Sequence, residues 1–286
     1  MIFLRIPLVG LFAALLAFAP AASADPALWK VSSGVSTAYI FGSVHLLEKS
    51  VVWKNPKVQA ALDQSQEIWL EVADLDNPVL AKSLTTQYGL DAAHPLSKTL
   101  DDAHRAKLTS ILKGLGAPPT ALDAERPWLA AVSLSLYPLQ KAGFDPEAGV
   151  DKLVKQEADR EGKPVHGFET FEQQIRYLAD LSKEEQADLL NSSLDEYDGA
   201  VDELRELERA WEEANLPMID TLMREETPPR LYSKLVVERN RRFAAAIANR
   251  LQTPGVIFVV VGAGHLAGPQ SVQIDLTDLG LSVQRQ

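Results

Sequence analysis

Six consecutive apolar residues, Val256-Ile257-Phe258-Val259-Val260-Val261, follow the turn Pro254-Gly255 and run into Gly262-Ala263-Gly264-His265. A short unbroken apolar run bounded by turn residues reads as a strand buried on both faces. The same design occurs near the start, where Ala38-Tyr39-Ile40-Phe41 leads into Gly42-Ser43-Val44-His45. In both places glycine lets the backbone turn sharply and a histidine is presented where the strand stops. Ligands of α/β sheets usually sit at the carboxyl ends of the strands.

The rest of the pattern fills in an α/β chain. Leu28–Ser32 and Thr37–Phe41 flank Ser33-Gly34-Val35-Ser36 and read as a hairpin. Asn55-Pro56 supplies a cap and a first helical residue for a helix reaching about Ser65, and Glu67–Val72 is the next strand. Helices are expected over Pro78–Tyr88, Asp101–Lys113, Pro127–Lys141 and Asp151–Glu161. Pro164–Glu169 is a short strand running into Thr170-x-x-Gln173, a capping box that opens another helix. Ser182–Glu226 is helical and acidic; Leu194, Tyr197, Val201, Leu204, Leu207 and Trp211 recur at threes and fours, so one stripe is buried and the acidic remainder is solvated. Leu231–Leu251 is a last helix before the final strands. The expected fold is a single α/β domain over 25–286: a central mixed β-sheet with helices on both faces. Its helical segment at about 182–226 is expected to cover the strand ends.

Met1–Ala24 stands apart. Arg5 is its one charge, Leu8–Phe18 is apolar, and Ala22-Ser23-Ala24 is a small-x-small cleavage site, the features of a secretory signal peptide. Its removal takes the net charge from −11 to −12, with 27 basic against 39 acidic residues. So acidic a chain is a poor nucleic-acid binder and has little attraction for anionic lipid. There is no cysteine, which excludes disulfides, thiolate chemistry and cysteine-bound zinc. A periplasmic or secreted protein is expected, with no stable membrane insertion once the signal is removed.

His45 and His265 are the first candidates for chemistry. With 16 glycines and five histidines in 286 residues, chance places a G-x-x-H well under once, yet it occurs twice, each time after an apolar strand. Either histidine taken singly could be a packed or capping residue; the pair favours a site, since neutral imidazole binds metals and shuttles protons. Glu71, just past Ile68-Trp69-Leu70, is either exposed at a strand tip or drawn into that site. Glu169 holds the same position after Pro164–Phe168, or only starts the following helix. Leu235, Arg239, Phe243 and Ile247 fall at successive fours, which puts a guanidinium on an apolar stripe where it needs a partner. That partner is a site carboxylate, a substrate oxygen or a structural acid. Arg241 and Arg242 read as surface residues, and His94, His104 and His166 as surface or capping groups. No G-x-S-x-G, H-E-x-x-H, Walker loop or dinucleotide fingerprint is present.

From Leu28 onward the chain resembles the TraB/GumN family, which is related to the Tiki-type proteases and more distantly to erythromycin-esterase-like and ChaN-like proteins. The marks are Phe41-Gly42-Ser43-Val44-His45-Leu46, Glu71, Gly167-Phe168-Glu169-Thr170 with Gln173, Glu238-Arg239-Asn240 and Gly262-Ala263-Gly264-His265. The resemblance implies a metal site of His45, Glu71 and His265 holding a divalent ion such as manganese or cobalt. It implies an exported hydrolase of the peptidase kind, acting on a peptide or protein substrate. In that reading Glu169 orients or accepts a proton and Arg239 stabilises oxyanion charge. Two other readings stay open: metal-free hydrolysis with one histidine as general base, and a periplasmic binding or assembly protein that turns nothing over.

Overall fold

A computed structural model describes residues 24–74, 76–225 and 227–286. The expected signal peptide lies outside them apart from Ala24. The two apolar runs form β2 (Ser36–Ser43) and β7 (Gly255–Gly262), which lie side by side and parallel, with Gly42 opposite Val261 and Ser43 opposite Gly262. β1 (Leu28–Ser33) joins β2 through the hairpin, antiparallel as expected. β4 (Glu67–Val72) pairs parallel with the other side of β7, and β6 (Val165–Glu169) pairs parallel with β4. β8 (Ser282–Arg285) closes the far edge on β1, so the six-stranded mixed sheet runs β6-β4-β7-β2-β1-β8. A second, two-stranded sheet of β3 (Leu47–Glu48) and β5 (Phe144–Asp145) has too few residues for any periodicity to announce it.

Alternate side chains of the central strands feed two cores. Phe41, Phe258 and Val260 face one side, where α1 (Pro56–Gln64) and α5 (Val150–Glu161) contribute Val58, Leu62, Val150 and Val154. Ile40, Ile257, Val259 and Val261 face the other, where Phe243 and Ile247 of α11 (Glu238–Arg250) and Leu276 of α12 (Val272–Asp278) pack. An unbroken apolar run is what a strand with helices on both faces requires.

A third core lies away from the sheet. Between η-like turns and short loops, α2 (Pro78–Gly89), α3 (Asp102–Gly114) and α4 (Pro127–Lys141) build a helical layer in which Leu108, Leu112 and Leu134 are buried. α6 (Phe171–Ala179) starts at the capping box of Thr170 and Gln173. The stretch expected as one helical segment is three helices: α7 (Lys183–Asp195), α8 (Ala200–Glu212) and α9 (Leu216–Glu225). Only part of it covers the strand ends. Leu190 and Leu194 of α7 pack into the third core, whereas Trp211 of α8 donates its indole N–H to the Gly42 carbonyl at 2.9 Å. The stripe that the spacing had suggested was continuous is split at residues 196–199, between α7 and α8, and Ala214, held at φ 51°, separates α8 from α9.

The last long helix is interrupted too. α10 (Pro229–Tyr232) passes through one π-helical turn, Ser233–Val237, before α11. π turns inside α-helices occur frequently at functional sites. Truncating a buried leucine in either layer removes contacts that the surroundings cannot replace. Leu70→Ala in the sheet and Leu190→Ala in the helical layer should each cost about 2–5 kcal/mol. If the chain is one domain, each lowers a single urea transition, and two separated transitions would show that the layers fold apart.

Candidate functional site

Because β2, β7 and β4 are adjacent and parallel, their carboxyl ends lie along one edge. His45 leaves β2 two residues past Ser43, His265 follows β7 within the 3₁₀ turn Ala263–Leu266, and Glu71 is the penultimate residue of β4. Glu169 ends β6 beside Val72. The four residues taken from the sequence therefore leave the same edge of the sheet, and Arg239, in the first turn of α11, reaches them from the face above.

Arg239 lies at the centre of the group. Its Nε donates to Glu169 at 3.0 and 3.1 Å, and Nη2 bonds both Glu169, at 2.9 Å, and Glu71. Nη1 donates to the Leu235 carbonyl at 3.0 Å and faces His265 Nε2 at 3.2 Å. A guanidinium has five N–H donors; four are hydrogen-bonded here and Nη2–Glu169 is an ion-pair contact, so all three nitrogens of Arg239 are turned toward the protein. Arg242, read from the sequence as a surface residue, is half-exposed, yet its Nη2 reaches Glu169 at 3.2 Å and the Tyr177 hydroxyl at 2.8 Å.

Glu71 is buried, with a side chain 9% exposed. Oε1 accepts the Gly262 N–H at 2.6 Å, and Oε2 accepts from Gln174 at 3.1 Å and from Arg239. A Cβ on Gly262 would lie 3.2 Å from Oε1, so the glycine of the second motif leaves room for the acid. Burial would raise the Glu71 pKa, but His265, Arg239, His45 and the Gly262 N–H hold it down at about 2. Glu169 also accepts from the Tyr177 hydroxyl at 2.7 Å. Burial and that carboxylate push Tyr177 up to about 12, so the phenol stays protonated.

The two histidines have different surroundings. His265 is buried, and its Nδ1 faces the Asn240 oxygen at 2.5 Å. The Asn240 Nδ2 is committed to the Gln270 carbonyl at 2.6 Å, so the oxygen must face the ring. That orientation places the imidazole proton on Nδ1 and leaves the Nε2 lone pair to Arg239. Desolvation lowers the His265 pKa to about 4, with Arg239 and His45 adding to it against the attraction of Glu71 and Glu169. At neutral pH it is uncharged.

His45 is open to water, its side chain 62% accessible. Its Nδ1 meets Asp151 Oδ1 at 2.9 Å, and Nε2 has no hydrogen-bond partner among the described residues. Asp151 comes from the first turn of α5, whose Val150 N–H bonds the Val44 carbonyl at 3.1 Å. A Cβ on Gly149 would lie 2.5 Å from the His45 carbonyl, so only glycine lets α5 begin this close. Desolvation pulls the His45 pKa down, but the Asp151 hydrogen bond and charge, helped by Glu71, raise it to about 9. Asp151 was not singled out in the sequence, and neither were Gln174 and Tyr177. Their only marks were polar residues in first helical turns or on exposed helix faces, which most helices carry.

A divalent ion held by His45, Glu71 and His265 needs its ligand atoms about 2 Å from one point, each with a free lone pair. Both Glu71 oxygens accept N–H bonds, the His265 Nε2 lone pair faces a guanidinium, and Asp151 holds the His45 ring in its protonated form at neutral pH. Among the described residues no group of three His, Asp or Glu is arranged to hold an ion. The set does not fit a metal as arranged, because the charge of Arg239 stands where the ion's charge would.

Comparison with known proteins agrees with the resemblance seen in the motifs. The TraB/PrgY/gumN family model matches residues 27–285. The chain is 26% identical over 243 residues to the uncharacterized protein YbaP of Shigella flexneri, covering 85% of this chain and 89% of that one. It is 26% identical over 230 residues to YbaP of Escherichia coli K12, covering 80% and 84%. An uncharacterized protein of Treponema pallidum is 20% identical over 260 residues, covering 85% and 78%. No solved structure matches.

The buried neutral imidazole has a measurable consequence. His265 titrates near 6.5 in the unfolded chain and near 4 in the folded one. Between those values only the unfolded state is protonated, so stability falls as pH drops through that window and is unaffected by this group above it. The loss is on the order of 3 kcal/mol. Urea unfolding between pH 7 and 4 should show this slope in the native chain and a flatter one in His265→Gln.

Proposed function

The chain belongs to the TraB/PrgY/gumN family, and on that premise we propose that it is an exported hydrolase whose general base is His45. The observation that carries the reading is the His45–Asp151 pair: an accessible imidazole whose Nδ1 rests on a carboxylate and whose Nε2 faces solvent at the strand ends. A ring so held is oriented for proton transfer at one nitrogen, and the carboxylate stabilises the imidazolium that forms. Export rests on the signal-peptide pattern of the first 24 residues.

In this reading water gives a proton to His45 Nε2 as its oxygen bonds the substrate carbonyl carbon. The tetrahedral intermediate collapses with cleavage of the carbon–heteroatom bond, and His45 returns the proton to the departing group. Return of the proton matters most when the leaving group is an amine, which favours a peptide or protein substrate. Arg242, half-exposed beside Glu169, is the donor suited to a developing oxyanion, whereas the single O–H of Tyr177 is given to Glu169. Glu71, Glu169, Arg239 and His265 act by holding those groups, because their polar atoms are engaged with one another and with the backbone.

His45→Ala should lower hydrolysis of a peptide library by about 10²–10⁴-fold with the fold intact by circular dichroism. Unchanged turnover would end the proposal. Chelation with EDTA should leave the rate unchanged; loss of activity restored by manganese or cobalt would return the metal reading. A protein that binds a ligand without any turnover would instead point to the binding or assembly role.

The pH profile gives a separate check. A base with a pKa of about 9 is mostly protonated at neutral pH, so kcat/KM should rise roughly tenfold per pH unit toward that value and then level. Asp151→Asn removes the charge that raises His45, and the rising limb should move to lower pH with a smaller plateau. A limb that stays in place would show that Asp151 does not govern the proton.

A further inference from the structure

Away from the strand ends, a cavity of about 770 Å³ opens between the end of α2, the 90–101 segment, the start of α4 and the first half of α7. Small-molecule sites usually have volumes of roughly 300–1,000 Å³. None of the residues of the strand-end site lines it. Its floor is Leu96, Leu100 and Leu190, members of the third core, and Leu90 stands at its rim 43% exposed. An apolar floor of this kind favours the apolar body of a ligand.

The polar part of the wall holds four acids, Asp91, Asp101, Glu125 and Glu184, against the cations Arg126 and Lys183. Glu125 lines the cavity half-buried; its Oε2 accepts from Ser133 Oγ at 3.2 Å, and among the described residues no cation is paired with it. Burial raises its pKa, the sign of a carboxylate deprived of water without compensation. The neighbouring Arg126 does not serve it, because the guanidinium donates to the carbonyls of Tyr88 and Ala179 at 3.0 and 3.1 Å. Asn191, on the opposite wall, has its side-chain oxygen buried with no hydrogen-bond partner. A donor placed in the cavity would give that carboxamide a reason to turn outward.

We propose that this cavity binds an organic amine, its ammonium paired with Glu125 and hydrogen-bonded to Asn191, and its apolar body laid over Leu96, Leu100 and Leu190. The site is separate from the hydrolytic one, so the two readings can fail independently. A ligand carrying only an anion would meet Glu125 as a like charge, with Lys183 at the other end of the wall as its one alternative to the committed Arg126.

Dansylcadaverine, a primary amine on an apolar fluorophore, tests this in titrations of the mature protein. Its fluorescence should rise saturably with one site per chain. Glu125→Gln, which keeps size and removes charge, should weaken binding by about tenfold or more. Ala187→Trp, which fills the cavity from α7, should abolish it. Both variants should keep the native circular dichroism and the same hydrolytic rate. Anilinonaphthalene sulfonate, apolar but anionic, should not displace the amine. Absence of saturable binding, equal affinity in both variants, or displacement by the sulfonate at equal concentration would overturn the proposal.

Discussion

A single buried guanidinium sets the conditions for the whole strand-end region. Arg239 lies between two carboxylates that are each less than a tenth exposed, and it also meets the lone pair of His265. Without it, Glu71 would keep only the Gly262 and Gln174 N–H donors, and Glu169 only Arg242 and the Tyr177 hydroxyl. Removing one partner from such a buried network typically costs about 3–5 kcal/mol, because the charges left behind cannot recover their water. Arg239 thereby makes it possible for parallel strands to end in acids, and its own position depends on the π-helical turn before it and on the Leu235 carbonyl.

That network divides two histidines that carry the same local motif. Both follow G-x-x after an apolar strand, and both strands lie side by side. His265 enters a 3₁₀ turn, is covered by the α11 side chains Asn240 and Phe243, and uses both ring nitrogens within the protein. His45 leads into the short β3 strand and, among the described residues, hydrogen-bonds Asp151 alone, through Nδ1. Burial and a nearby cation keep the first neutral, while an anion beside an accessible ring keeps the second charged. The difference between the two imidazoles, one buried and neutral and the other accessible and charged, follows from these surroundings and not from the motif.

The helical layer adds a second level of organisation. α8 closes over the end of β2 through the Trp211 indole, so the sheet and the acidic helices share a boundary at the site. α7 turns the other way, into a core of its own with α3 and α4. Its packing leaves a concave space lined by more acids than bases.

Much of the fold was legible along the chain because the signals are local. An apolar run such as Val256–Val261 can be satisfied only with cover on both faces, and Asn55-Pro56 or Thr170-x-x-Gln173 start helices through contacts within one turn. The period-four placement of Arg239 among Leu235, Phe243 and Ile247 already required a partner for a buried charge. The identity of that partner was not legible, since Glu71, Glu169 and His265 reach it from three different strands, and strand order is not written in any one of them. Asp151 gave no signal for the same reason: it is an ordinary first-turn acid until Gly149 brings α5 against the end of β2. Local patterning determined which segments are strands, helices and turns, because those choices balance within a few residues. Which side chains share a charge, and which histidine faces water, was decided only when segments more than a hundred residues apart packed together.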